Sequence, residues 1–229
     1  MKEKISITGV EGIMGTVLRN GLSEKYEITP LGLPAVDVRN YQKLLEIFPG
    51  HRAVIHLAWD TDTDNFRSGR INPENSLMFE NVYRAAVETD VPLVIMASSV
   101  HVDRFYEEDE PLTPASLSHP DSPYGAHKVF MEKLGEWYSR KKGLGVICLR
   151  LGGINPEDQP AIIEDSSDKA QQRERSVWLS HRDIVSLIDE CLDSGFNKFA
   201  IVYAISDNKG RIQDISNPFG WFPKDGIHD

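Results

Sequence analysis

The 229-residue chain predicts an α/β fold, a doubly wound parallel sheet with a small C-terminal cap, and three observations carry that expectation. Short apolar runs alternate with amphipathic segments along most of the chain. The runs are apolar throughout instead of at every second position, as strands covered on both faces are. A glycine turn, Gly9-Val-Glu-Gly12-Ile-Met-Gly15, follows the first run at once and opens a helical pattern.

Residues 4–8 read as the first strand, and 13–22 as a helix with Ile13, Met14, Val17 and Leu18 on one face. A second strand over 26–31 stops at Pro30-Leu-Gly-Leu-Pro34, and 41–48 is a helix ended by Pro49-Gly50. Residues 53–57 form the next strand; 75–87 are helical through Leu77, Val82, Ala85 and Ala86; 92–97 form a strand closing in Ser98-Ser99. A helix over 124–138 and a strand over 145–151 continue the alternation. Beyond them 155–175 is polar and irregular, 184–191 helical and 199–205 a strand. The expected organisation is a single domain over 1–229. Residues 1–151 would mainly bind a dinucleotide, and 152–229 would mainly cap the carboxyl edge of the sheet, where doubly wound folds bind ligands.

With 40% hydrophobic and 26% charged residues the composition is that of a soluble globular protein. A net charge of -10 argues against a general nucleic-acid surface. No apolar run approaches the ~20 residues of a membrane span. Met-Lys-Glu-Lys enters a strand pattern directly, so a cytoplasmic location is expected. Cys148 and Cys191 fall in apolar patterns and read as core residues. His56, His101, His119, His127 and His181 show no zinc spacing, so no metal is expected.

The chemistry-bearing segment is Tyr124-Gly-Ala-His-Lys128. Four residues apart on a helix, a phenol and an ammonium share one face, and the cation favours phenolate. Bringing a tyrosine from about 10 to ~7 takes roughly 4 kcal/mol at ~1.36 per unit. Ser122 as cap and Pro123 at the first helical position would add the positive end of the helix dipole. The same spacing recurs in Tyr138-Ser-Arg-Lys-Lys142, where it reads as a solvated basic helix end. The glycine turn lets backbone amides approach a pyrophosphate at the helix start.

With Ser99 ending a strand and Tyr124-x-x-x-Lys128 opening the following helix, the chain resembles the short-chain dehydrogenase/reductase superfamily and its extended, epimerase/dehydratase-like branch. The fold implied is a Rossmann-type one. Within the branch it is most similar to uronate dehydrogenases and related sugar dehydrogenases. That likeness rests on Ala97-Ser-Ser-Val-His101, Phe105-Tyr106, Tyr124-Gly125, Lys128, Ser176-Val-Trp-Leu-Ser-His-Arg-Asp183 and Phe219-Gly-Trp-Phe-Pro-Lys-Asp225.

The resemblance implies that Tyr124 is the general base, that Lys128 lowers its pKa and holds the nicotinamide ribose, and that Ser99 bonds the reacting oxygen. It further implies a cofactor site at Gly9, Gly12, Ile13, Met14, Gly15, Asp37, Val38, Leu57, Ala58, Tyr124, Lys128 and Ile154, with Asp37-Val38 reading the adenine edge. On the substrate side stand Thr61, Ser99, His101 and Arg173, the arginine gripping a carboxylate and Arg175 a near competitor. Asn75 reads as a helix-packing residue.

This chain departs from its relatives in three places. No acidic residue ends the second strand at Leu31-Gly-Leu-Pro34, and Arg39 is isolated; Trp59 and Asp60 follow Ala58 where relatives have small residues; Val100 replaces an asparagine. The expected cofactor is NAD or NADP, with NAD slightly favoured. The expected function is oxidation of a sugar or sugar-acid hydroxyl. Nucleotide-sugar epimerisation or dehydration is the alternative enzyme, disfavoured by the short chain after Leu151, and a non-catalytic dinucleotide-binding regulator is the alternative from another class. The expected partner is a carbohydrate substrate, with no nucleic acid or membrane. The two long helices resemble those that pair in homodimers of the superfamily.

Overall fold

The computed structural model describes residues 2–104, 110–162 and 167–228. Strands β1 (Lys4–Thr8), β2 (Glu27–Leu31), β3 (Ala53–His56), β4 (Leu93–Ser99), β5 (Gly145–Leu151) and β6 (Phe199–Ala204) form one sheet in the order β2-β1-β3-β4-β5-β6. Every pairing is parallel. The chain winds outward from β1 to β2, then crosses to β3 on the other side of β1, so the carboxyl ends of β1 and β3 flank a crevice. Pro30 sits within β2, which a proline tolerates because β2 is an edge strand.

Helices α1 (Ile13–Leu22) and α6 (His181–Asp193) cover one face of the sheet. Leu18, Leu22, Ile184 and Leu187 there join Ile5, Ile7 and Ile55 in one buried cluster. On the other face α2 (Tyr41–Ile47), α3 (Pro73–Glu88) and α4 (Pro123–Lys142) bury Leu44, Phe79, Val82 and Met131 against Val54, Val94 and Val146. Each such side chain contributes ~1.5–3 kcal/mol of transfer free energy. The central strands β3, β4 and β5 are mostly apolar and buried because both faces of the sheet are covered there. Cys148 and Cys191 are buried and unpaired with each other. Tyr138 is also buried, stacked on Tyr83 with centroids 5.2 Å apart, while the lysines after it are exposed at the helix end.

The expectation of irregular chain over 155–175 fails at α5 (Asp168–Ser176). Ser167 caps this helix by accepting from the Ala170 amide; Asp168 lies in its first turn and Arg173 and Arg175 in its last, all favourable to the dipole. It buries only Ser176 among its residues, so no apolar stripe announces it. The two C-terminal motifs meet: the Asp183 carboxylate accepts from the Lys224 amide at 2.7 Å, and Ser180 Oγ donates to Asp225 at 2.7 Å. Among the described residues no helix is long and apolar enough to cross a membrane.

Candidate active site

The glycines after β1 do different jobs. Gly9 has φ 66°, and a Cβ there would lie 2.7 Å from the Ala58 amide nitrogen; at Gly15 it would lie 2.5 Å from the Gly9 carbonyl oxygen. Those two allow backbone to pack on backbone. At Gly12 a Cβ would meet only the Gly9 oxygen, at 3.4 Å, so Gly12 keeps the approach to the helix start open. Gly12 is also the cap of α1 and supplies no side-chain bond to the first turn, which leaves the Ile13 and Met14 end of the helix available to an anion. Thr8 Oγ1 accepts from the Leu57 and Ala58 amides, both at 3.1 Å, and so fixes the end of β3 across the crevice.

A cleft of about 450 Å³ lies there. It brings together Gly9, Gly12, Asp37, Val38 and Ala58, and adds Trp59, Asp60, Asn72 and Glu74, which sequence reasoning did not assign to a cofactor. The open cradle at Gly12 and the uncapped helix start fit the phosphates of a dinucleotide. Ile154, in contrast, packs against the core cluster beneath α1 and α6. Asp37 lines the cleft with its carboxylate held by Arg39, whose Nε and NH2 groups donate at 3.0 and 2.7 Å. That ion pair keeps the Asp37 carboxyl below its usual range.

Ser122 caps α4, accepting from the Gly125 amide at 3.2 Å, and Pro123 stands at the first helical position. Gly125 lets α4 start against the turn after β4: a Cβ there would lie 2.2 Å from the His101 carbonyl oxygen. This close approach brings the Tyr124 phenol beside Ser99. One helical turn on, Lys128 Nζ donates to the Ala97 carbonyl at 2.8 Å and lies 5.5 Å from the Tyr124 ring centroid. The three candidate residues therefore converge at the carboxyl edge of β4.

The electrostatics run against the expectation of a depressed phenol. Burial pushes Tyr124 up to about 12; Ser99 acts in the opposite direction, and the Asp64 and Asp121 carboxylates raise it further. Burial pushes Lys128 down to about 7, with Asp64 acting against the fall. The spacing does put the two groups side by side. Desolvation of both charged forms outweighs their attraction.

Trp59 explains part of that desolvation. Its indole lies under the ammonium, with Nζ 3.4 Å from the ring centroid, and edge-on to Tyr124 at 5.8 Å. Its Nε1 donates to the Asp64 carbonyl at 3.0 Å, and its ring packs on His127 at 4.9 Å. Asp64 is fully buried; its Oδ2 accepts from the Asn72 amide at 3.0 Å and Asn75 Nδ2 at 3.0 Å, and pairs with His127 Nδ1 at 2.7 Å. His127 Nε2 reaches Ser76 Oγ at 2.6 Å. Asn75 is thus a staple between α3 and residues 60–64 more than a helix-packing residue, since its Oδ1 also accepts from the Asp60 amide at 2.7 Å. Sequence reasoning missed Asp64. It lies between β3 and α3 in a segment without periodicity, and its partner His127 is 63 residues away.

On the open side of Tyr124, His101 is clamped between partners. Its Nδ1 pairs with Asp121 at 2.8 Å and its ring stacks on Phe66, centroids 4.4 Å apart. Val100 is buried in a small apolar cluster with Leu112, Val177, Tyr203 and Ile205, so it pins the turn. Thr61 is exposed. Arg173, half-buried on α5, donates to the Arg104 carbonyl, which ties α5 to the segment following His101. Phe105 and Tyr106 lie outside the described residues.

A doubly wound sheet, a glycine cradle after its first strand and a Ser-Tyr-Lys convergence at the edge of its fourth define a dinucleotide-binding fold of the short-chain dehydrogenase type. The chain belongs to the NAD dependent epimerase/dehydratase family, whose model matches residues 5–155. It is similar to the L-arabinose 1-dehydrogenase (NAD(P)(+)) of Haloferax volcanii, 29% identical over 97% of this chain and 96% of that protein. Uronate dehydrogenase of Pseudomonas syringae pv. tomato is 28% identical over 97% of this chain and 82% of its own length. The crystal structure of uronate dehydrogenase from Agrobacterium tumefaciens superposes with a TM-score of 0.81 at 26% identity, covering 98% of this chain and 85% of that one.

Proposed function

We propose that this protein is an NAD(P)-dependent dehydrogenase that oxidises a hydroxyl of an aldose or uronate. The observation that carries the reading is the meeting of Ser99, Tyr124 and Lys128 beside the glycine cleft. Bound NAD(P)+, its phosphates held at the Gly12 cradle and the start of α1, would supply the hydride acceptor. The Tyr124 oxygen takes the proton of the substrate hydroxyl, and Ser99 Oγ holds that oxygen in line. Lys128, fixed by the Ala97 carbonyl, favours the phenolate when protonated. Trp59 and the elements packed on it exclude water from the pair.

The relatives are named as dehydrogenases of L-arabinose and of uronates. Arg173, at the end of α5, is the residue we assign to a substrate carboxylate. His101 is the candidate for a sugar hydroxyl. The same reading makes the cytoplasm the working compartment, since both cysteines are free thiols.

Purified protein given NAD+ or NADP+ with L-arabinose, glucuronate and galacturonate should produce reduced nicotinamide, followed by its absorbance. Tyr124→Phe should lower kcat by about 10²–10⁴-fold, the usual worth of a positioned base. A Tyr124→Phe protein with wild-type turnover would remove the tyrosine from the mechanism.

A further inference from the structure

The end of β2 carries no carboxylate, because Gly32 follows Leu31. The side chains that cover this spot come from the glycine loop. A Cβ added at Gly32 would lie 3.5 Å from Val10 Cγ1 and 3.6 Å from Glu11 Cγ. Glu11 is exposed, stands one residue before the Gly12 cap, and lines the same cleft as Gly12 and Gly32.

Every other charge in that cleft is engaged. Arg39 is shared by Asp37 at 2.7 Å and Glu74 at 3.1 Å, so its guanidinium is neutralised twice. Asp60 accepts from Thr63 Oγ1 at 2.8 Å and Asn72 Nδ2 at 2.6 Å. Among the described residues neither an ion pair nor a side-chain hydrogen bond occupies the Glu11 carboxylate. A carboxylate only accepts, and the two hydroxyls of an unmodified ribose donate to it. A 2′-phosphate would instead bring close to two negative charges beside it, with no free guanidinium in the cleft to offset them.

We propose that Glu11, in the glycine loop and not at the end of β2, is the carboxylate that recognises the adenosine ribose and selects NAD over NADP. Gly32 is small so that the Glu11 stem can lie across the end of β2. The proposal rests on the dehydrogenase reading only in requiring that the cleft take a nicotinamide dinucleotide.

Calorimetric titration with NAD+ and with NADP+, without any sugar, tests it directly. Wild type should bind NAD+ at least about tenfold more tightly, and Glu11→Gln should shrink that ratio by about tenfold, ~1.4 kcal/mol, chiefly by tightening NADP+. Glu11→Lys should reverse the preference. Thermal unfolding of both variants should match wild type, since the side chain is exposed. An unchanged ratio in both variants, or a wild type that prefers NADP+, overturns the role of Glu11 and leaves the dehydrogenase reading standing. Binding of neither dinucleotide by wild type overturns that reading and this proposal together.

Discussion

Arg150 and Lys128 are both buried cations beside α4, 1% and 4% exposed, yet the molecule treats them in opposite ways. Arg150 forks onto Glu132 through Nε and NH2, both at 3.0 Å, and its NH1 reaches Asp103 at 3.1 Å and the Tyr203 hydroxyl at 3.0 Å. Ser98 Oγ donates to the same Glu132 at 2.6 Å. Among the described residues Lys128 makes one hydrogen bond, to the Ala97 carbonyl, and it rests on an indole face. Its nearby carboxylate, Asp64, is already committed to His127 and to Asn72 and Asn75. The first cation has its donors matched and no reason to change state. The second sits where its proton is nearly as easily lost as kept, which suits a group that must respond to the charge on its neighbour.

The largest effect that tests this contrast belongs to Arg150. Arg150→Met would strand Glu132 and Asp103 as buried carboxyl groups, and breaking a buried pair in this way costs about 3–5 kcal/mol. Denaturant unfolding should show a lower midpoint, or the protein should fail to accumulate in soluble form. Wild-type stability in this variant would mean that the network is not what holds β5 to α4.

Lys128→Met is expected to move stability the other way. The methionine keeps the volume and the apolar contact with Trp59 but removes the cost of a poorly paired cation, a change worth ~1–4 kcal/mol when buried charge gives way to packing. At roughly 2–4 °C per kcal/mol for a chain of this size, calorimetry would register a higher Tm together with lost turnover. The pH dependence has a definite sign. Lys128 falls from 10.5 to about 7 on folding, so between those values the unfolded chain holds a proton that the native one does not. Wild-type stability therefore rises with pH across that window, and the variant should lack this part of the rise. A lower Tm in Lys128→Met would erase the distinction between the two cations.

Much of the site is legible in the sequence where the determining interactions are local. The β1 to α1 glycine turn and the Ser122-Pro123 start of α4 are written in neighbouring residues, and the apolar strands report that both sheet faces are covered. The charge state of the Tyr124–Lys128 pair is not local. Spacing places the cation near the phenol, but the sign of the result depends on burial under Trp59 and on Asp64, which reaches the site from another segment. Helix α5 is illegible for a related reason: capping and terminal charges hold it, and these leave no 3.6-residue apolar period. The position of Glu11 over the end of β2 likewise requires knowing that Gly9 and Leu31 adjoin, as the 2.8 Å bond from the Gly9 amide to the Leu31 carbonyl makes them do.

His56 offers the smallest and most specific test, because it shares the under-bonded surroundings of Lys128. Thr8 Oγ1 accepts the Leu57 and Ala58 amides, so its own hydrogen goes to His56 Nδ1 at 2.8 Å. By that network the ring proton lies on Nε2, which is buried and without a hydrogen-bond partner among the described residues. Burial first, and the Lys128 charge second, push His56 down to about 3. Its contribution to stability is therefore complete above the unfolded value near 6.5 and declines as pH falls toward about 3, because the unfolded chain gains a proton there that the native chain refuses. His56→Asn retains an acceptor for Thr8 but cannot titrate, so it should lose about 1–2 kcal/mol less than wild type between pH ~6.5 and ~5. Adding Lys128→Met to wild type should shorten that acid limb so that it levels off at a higher pH, since removing the neighbouring cation lets the native ring accept its proton more readily. Acid limbs that coincide in wild type and His56→Asn would mean that this pocket accommodates a second cation at no cost and that its polar groups are not held short of full satisfaction.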